Sequence, residues 1–223
     1  MKRRTHVVNL ILSGALLLAL VSSPGMSWAG EKTTKKAAAK AETKKEAAVT
    51  APAPSAPSNE EMMAMMKMAM PGPEHAALNP LAGIWKITTK MWSGPGEPQV
   101  TEGTCERNWM MDGRYLVGNY KGSAAGMPFE GMEVLGYDNM KKQYVSSWVD
   151  NMGTGIMLSR GAPMDPGSKS FELTGSSPDP TGKEVVMREV TSIVDGNTAS
   201  MTMYATQDGQ EQRIMEITYT RVK

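Results

Sequence analysis

From Gly83 onward the chain is a succession of short runs rich in Val, Ile, Thr, Tyr, Trp and Met, separated by turn-forming residues, with no long amphipathic stretch between them. That rhythm is the strongest constraint on what the chain can become. The runs fall at 84–92, 101–111, 114–121, 129–137, 143–151, 155–160, 170–175, 184–194, 199–206 and 212–222. Between them lie Asp112-Gly113, Asp138-Asn139, Asp165-Pro166-Gly167, Asp179-Pro180-Thr181-Gly182, Asp195-Gly196-Asn197 and Asp208-Gly209. Asn, Asp and Gly tolerate positive φ and so suit tight hairpins. About ten short strands at hairpin spacing predict an antiparallel meander. An open sheet of that size leaves unpaired edges unless it closes, so the expectation is an all-β, up-and-down barrel over residues 83–223.

The preceding residues have a different texture. Lys2, Arg3 and Arg4 precede an apolar stretch from Val7 to Val21, then Pro24-Gly25 and Ser27-Trp28-Ala29. This is the plan of a cleavable signal peptide over residues 1–29, which predicts a periplasmic or secreted protein. Residues 30–58 are Lys, Ala, Thr, Glu and Pro with few large apolar side chains, the composition of a disordered linker. Residues 59–82 read as a short helical lead-in: a Met-rich helix from Glu60 to Met70 capped by Asn59 or Ser58, a stop at Pro71-Gly72-Pro73, and a second turn from Glu74 to Leu81. No second apolar run follows Ala29, so no membrane span is expected after cleavage. Charge is uneven. Residues 31–46 carry six Lys and three Glu, whereas residues 47–223 carry 15 Lys/Arg against 20 Asp/Glu. The acidic excess argues against a nucleic-acid partner, which needs a basic face.

Two features of the barrel region go beyond its rhythm. Gly83-Ile84-Trp85 opens the first strand, and Arg221 lies in the last. A guanidinium stacked on that indole would cover one end of a closed sheet. Gly83, Trp85 and Arg221 in this arrangement resemble the closing signature of the calycin superfamily of lipocalins and fatty-acid-binding proteins. A longer series of blocks follows in order: Pro71-Gly72-Pro73-Glu74-His75, Leu81-Ala82-Gly83-Ile84-Trp85, Gly113-Arg114-Tyr115-Leu116, Gly126-Met127-Pro128-Phe129-Glu130-Gly131, Leu135-Gly136-Tyr137-Asp138, Trp148-Val149-Asp150 and Met215-Glu216-Ile217-Thr218-Tyr219-Thr220-Arg221. This series resembles the bacterial domain-of-unknown-function family 1579, a calycin-like group, over roughly residues 71–223. The resemblance implies a lipocalin-like barrel and carries no activity with it.

Residues that could carry chemistry are few. Methionine is abundant, with 21 in the chain, six of them in the stretch from Met62 to Met70. Thioether sulfur is a soft ligand that favours Cu(I). On a helix Met62, Met65, Met66 and Met70 share one stripe, with His75 as a nitrogen donor nearby. The competing expectation is that this flexible apolar helix packs on the barrel or lies at its mouth. His75 is the only histidine outside the leader, and Cys105 is the only cysteine, so no disulfide and no multi-His or Cys zinc centre can form within the chain. Nucleophile elbows, phosphate loops and dinucleotide fingerprints are absent. No catalytic dyad emerges, and the favoured function is non-enzymatic and free of cofactors, with copper as the alternative. The segment from Tyr144 to Arg160 is the densest in polar and aromatic groups. Alternation puts Tyr144, Ser146, Trp148 and Asp150 on one face, and either face can turn inward. The expectation is a barrel that binds a small, mostly apolar ligand through Trp148, Asp150, Met152, Arg160 and His75. A filled barrel serving assembly is the other structural reading.

Overall fold

The computed structural model describes residues 56–179 and 181–222. The leader and most of the linker, residues 1–55, lie outside the described residues. The first element is helix α1 (Asn59–Met68), capped by Ser58, whose hydroxyl accepts the Glu61 N–H while Glu61 reaches back to the Ser58 N–H at 2.8 Å. A short helix α2 (Pro73–Ala76) and a single turn of 3₁₀ helix (Asn79–Leu81) lead into the sheet. Ten strands follow: β1 (Gly83–Met91), β2 (Gln99–Met110), β3 (Tyr115–Ala124), β4 (Met127–Asp138), β5 (Gln143–Asp150), β6 (Met157–Gly161), β7 (Ser170–Pro178), β8 (Glu184–Ile193), β9 (Thr198–Gln207) and β10 (Gln210–Arg221). Each strand pairs antiparallel with its sequence neighbours, and β1 also pairs with β10, which closes the barrel. All ten expected strands are present, with ends displaced by a few residues. The main register irregularity is in β10, between Arg213 and Met215.

Closure fixes two unlike ends. The β2–β3, β4–β5, β6–β7 and β8–β9 turns share one end with α2 and the 3₁₀ turn. There Leu78, Leu81 and Trp85 are fully buried, with Tyr144, Phe171, Ile193 and Tyr219 in the same apolar cluster. The lead-in therefore plugs this end. Its anchor is the pair foreseen from the sequence: Trp85 and Arg221 are directly opposite in the β1–β10 register, and the Arg221 guanidinium lies 4.1 Å from the Trp85 ring centroid. Arg221 also donates to three carbonyls, those of Pro80, Ala82 and Gly196, each at 2.7 Å. The Trp85 indole N–H donates to Leu81 O at 3.0 Å. One cation thus ties the lead-in, the first strand, the last strand and the β8–β9 turn together. Gly83 has a φ of +124°, and a Cβ there would collide with Arg221 Nη1.

The Met-rich helix is not at the mouth. Asn139 of the β4–β5 turn donates to Met68 O and Met70 O, and Arg114 after the β2–β3 turn donates to Ala69 O, so α1 hangs from the plugged end. Nor does it pack on the barrel. No residue of α1 is buried, and the six methionines of the cluster are 48–71% exposed. The physical reason is the Pro71-Gly72-Pro73 break, which lets the chain turn into the plug and leaves α1 beside the turns.

Three substitutions test the closure. Trp85→Ala is expected to cost ~3–5 kcal/mol as deletion of a fully buried aromatic. Arg221→Ala should cost about 1–3 kcal/mol through the stranded carbonyls and lost stacking. Gly83→Ala should be destabilising by about 1–3 kcal/mol because it adds backbone strain to a steric conflict. Equilibrium urea denaturation checks all three; silence of both Trp85 and Arg221 would show that the plugged end does not hold the barrel closed.

Candidate functional site

Strand alternation makes every second residue an inner-wall residue, and cross-strand register shows which of them share the lumen. Ser146 faces Leu135 and Ser159, Trp148 faces Glu133 and Met157, and Asp150 faces Gly131, which itself faces Tyr120. The Tyr144, Ser146, Trp148 and Asp150 face therefore points inward. Val145 and Val149 are on the outside.

Trp148 stands at the centre of an aromatic group. Its ring is stacked on Phe129, with centroids 6.3 Å apart and planes at 18°, and meets Tyr120 edge-on at 5.1 Å. The indole N–H donates to Asp150 Oδ2 at 2.7 Å, and Asp150 Oδ1 accepts the Met152 N–H at 2.9 Å. A side chain on Gly131 would strike the Trp148 ring, so the bare backbone there is what lets the indole lie against β4. Trp148, Asp150 and Met152 are thus brought together as expected.

Arg160 is not among them. It is exposed and pairs with Val145 and Thr174 on the outer face, because its neighbours Ser159 and Gly161 occupy the inward positions. His75 is also elsewhere. It is buried in the plug, where Nδ1 accepts the Gly72 N–H at 3.1 Å and the ring packs edge-on to Tyr137. Burial lowers its pKa, so the neutral imidazole caps the lead-in. Of the proposed Met–His set, Met62, Met65 and Met66 lie on α1, Met70 lies beyond its end with Sδ taking a contact from Arg114 at 3.5 Å, and His75 Nδ1 is already engaged by the Gly72 N–H.

Five inner-wall residues were missed by sequence reading. Arg107 of β2 is 5% exposed and projects into the base of the lumen, with its guanidinium carbon 4.4 Å from the Tyr219 ring centroid. Its Nη2 donates to the Tyr120 hydroxyl at 2.6 Å and lies 3.6 Å from Glu133 Oε2. Burial opposes its charge, but Tyr120, Tyr219 and Glu133 outweigh that and hold its pKa above the ordinary guanidinium value. The Tyr120 hydroxyl donates to Glu133 at 3.2 Å, and Ser146 donates to the other Glu133 oxygen at 3.2 Å. Across the lumen Ser159 donates to Glu189 Oε1 at 3.1 Å. The wall therefore carries a polar ribbon: Arg107, Tyr120, Glu133, Ser146, Ser159 and Glu189. Burial, then the Glu133 charge, pushes the Glu189 carboxyl up to about 7, against the smaller opposing effect of Ser159. Burial also pushes the Tyr219 hydroxyl up to about 12 and the Cys105 thiol to about 11, so neither ionises near neutrality and Cys105 is an inert packing residue.

Above this ribbon the inner wall is soft and apolar. Met91, Met215, Met203 and Glu189 are successive cross-strand neighbours on β1, β10, β9 and β8. Met157, Met187 and Met201 occupy further inward positions, and all six of these methionines are only partly buried. Near the open end a cleft of about 290 Å³ lies between the β1–β2 loop and the β9–β10 hairpin, lined among others by Trp92, Ala205, Arg213 and Ile214. A second cleft, about 400 Å³, is at the plugged end beside Pro71, His75 and Trp109. Among the described residues no group of three or more His, Cys, Asp or Glu is placed to hold a metal ion, and no helix is long and apolar enough to cross a membrane.

The profile of the family described as "Protein of unknown function (DUF1579)" matches residues 70–221. The chain belongs to that family. Among solved structures it is similar to Rv2717c from M. tuberculosis, at 19% identity and a TM-score of 0.53, covering 68% of this chain and 99% of that one. A redesigned β-barrel aligns at 13% identity over 66% of this chain and 96% of the other, with a TM-score of 0.35. The first likeness supports the barrel fold alone. No functionally curated protein matches the sequence.

Glu189 gives a sign-definite test. A carboxyl whose pKa is raised on folding adds stability below its unfolded pKa, and that contribution is lost as pH rises through about 7. The charged group acting on it is Glu133 from β4. Glu189→Gln should therefore be more stable than the wild type by about 1–3 kcal/mol in mild alkali, with the difference shrinking toward acid pH. Urea midpoints measured across that window check it; a pH-independent difference would show that Glu189 ionises freely.

Proposed function

We propose that this protein is an exported, non-enzymatic carrier whose barrel lumen receives a small, mostly apolar molecule through the end opposite the plug. The observation that carries the reading is the contrast between the two halves of the inner wall. At the plugged end the side chains interlock and are fully buried. In the upper half Trp148, Phe129 and the six inner methionines line the wall but remain partly exposed. A wall of aromatic and thioether groups with a few convergent polar groups is the usual make-up of a small-molecule site. Methionine suits it further, because an unbranched thioether chain adapts to the shape of what it touches.

Export rests on the leader-like first 29 residues. The absence of a recognisable catalytic set in the sequence is why the proposal is a carrier and not an enzyme.

Titration with a neutral, environment-sensitive dye such as phenylnaphthylamine tests the proposal. The wild type should enhance its fluorescence saturably, and Trp148→Ala should weaken binding about tenfold by removing the central aromatic contact. Arg160→Ala, on the outer face, should bind as the wild type does. Failure of the wild type to bind any apolar dye would overturn the carrier reading in favour of a filled barrel.

A further inference from the structure

The charges of the inner wall point to what kind of polar group such an apolar ligand carries. Among the described residues, the charged side chains on that wall above the plug are Arg107, Glu133, Asp150 and Glu189. Three are carboxylates and one is a guanidinium. Arg107 is already answered: Glu133 lies 3.6 Å from Nη2, Tyr120 accepts from the same nitrogen at 2.6 Å, and the guanidinium is stacked on Tyr219. Its two unpartnered nitrogens are sealed from the lumen, and Nε packs against the bare Gly118 backbone of β3. Arg107 therefore does not make the lumen a site for anions. Asp150 is held by the Trp148 indole and the Met152 N–H.

Glu189 is left without a countercharge. Its only hydrogen bond among the described residues is from Ser159 to Oε1. Oε2 accepts none, and among the described residues it is not one of the fully buried atoms that lack a partner, so it keeps some accessible surface. Around it are Met203, its direct neighbour on β9, and Leu173, its neighbour on β7. The aromatic group of Trp148, Phe129 and Tyr120 lines the β3–β5 side of the same lumen, and aromatic faces attract cations.

We infer that the preferred ligand is an apolar chain ending in an organic cation, a primary or secondary ammonium, which donates to Glu189 Oε2. This rests on the carrier reading above and narrows it. Ionised Glu189 then gains the partner it lacks, and the charge-assisted hydrogen bond forms where water is scarce. A fatty acid of the same length would bring a fourth carboxylate into a lumen with one engaged cation.

The experiment is a displacement series on the purified full chain at about pH 8, where Glu189 is largely ionised and an alkylamine is still protonated. Bound phenylnaphthylamine is displaced by decylamine, decanol or decanoate. The expected order is decylamine about tenfold tighter than decanol, with decanoate weakest. Glu189→Gln should bring the amine-to-alcohol ratio close to one, and Glu189→Asp, which keeps the charge, should restore part of the preference. If Glu189→Gln does not fold, the order in the wild type decides by itself. Equal affinity for amine and alcohol, or decanoate as the tightest ligand, would overturn the cation inference while leaving the carrier reading standing. Failure of the wild type to bind the dye or any of the three would overturn both.

Discussion

The pairing of β1 with β10 is the contact on which the rest of this structure depends. Until it forms, the ten strands are an open ribbon with two exposed edges, prone to pairing with other chains. Once it forms, each strand has two neighbours and alternate side chains are committed to an enclosed space. That space is large. About eight strands already enclose an interior that side chains just fill or that one small ligand occupies, and a ten-strand ring is wider. The chain resolves the excess at one end by folding residues 73–81 into it as a plug, with Leu78 and Leu81 fully buried and the Tyr144 hydroxyl tied to Glu74 O at 3.0 Å. Arg221 holds plug and seam at once, so the two share one anchor.

What closure costs is visible one layer higher. A guanidinium in a barrel interior is expensive unless its charge and donors are matched. Arg107 has its charge and Nη2 matched by stacking on Tyr219, bonding Tyr120 and approaching Glu133, with Gly118 leaving room for its stem, while Nε and Nη1 go without a partner. These groups act as a unit. Tyr120 links the cation to the carboxylate, and its own ionisation is suppressed by burial despite the pull of Arg107. Glu189 has no comparable set of partners, so the surroundings of Glu133 and Glu189, not their residue type, set the two carboxylates apart.

The barrel was legible because its signals are local. Period-two runs and Asp/Gly/Asn turns announce hairpins, and Gly83, Trp85 and Arg221 announce closure through residue types with few other uses together. The inner wall was legible only where it is aromatic. Trp148 and Asp150 lie two apart on one strand, so a single alternation puts them side by side. Arg107, Tyr120, Glu133 and Glu189 come from four strands, and their meeting depends on shear and register, which no window of sequence contains. The inward alternation of Cys105 with Arg107, and of Glu133 with Leu135, was the one available signal. Arg160 and His75 failed for opposite reasons: the first is one residue out of phase with the inner face, and the second lies in the plug, whose position follows from closure and not from its own sequence.

Methionine richness also separates into two populations with different physics. The α1 methionines are exposed on a helix with no buried residue, whereas Met91, Met157, Met187, Met201, Met203 and Met215 share the barrel's inner wall. In the lower half, where packing is complete, the large side chains are Trp, Tyr, Phe, Leu and Ile, whose shapes are defined enough to interlock. Methionine has three rotatable bonds and fills irregular space without demanding one arrangement. On the proposed carrier function, its concentration on the wall above the polar ribbon supplies the part of the interior able to adapt. Residues of defined shape carry the plugged end, and on that proposal the methionine wall follows the shape of an occupant.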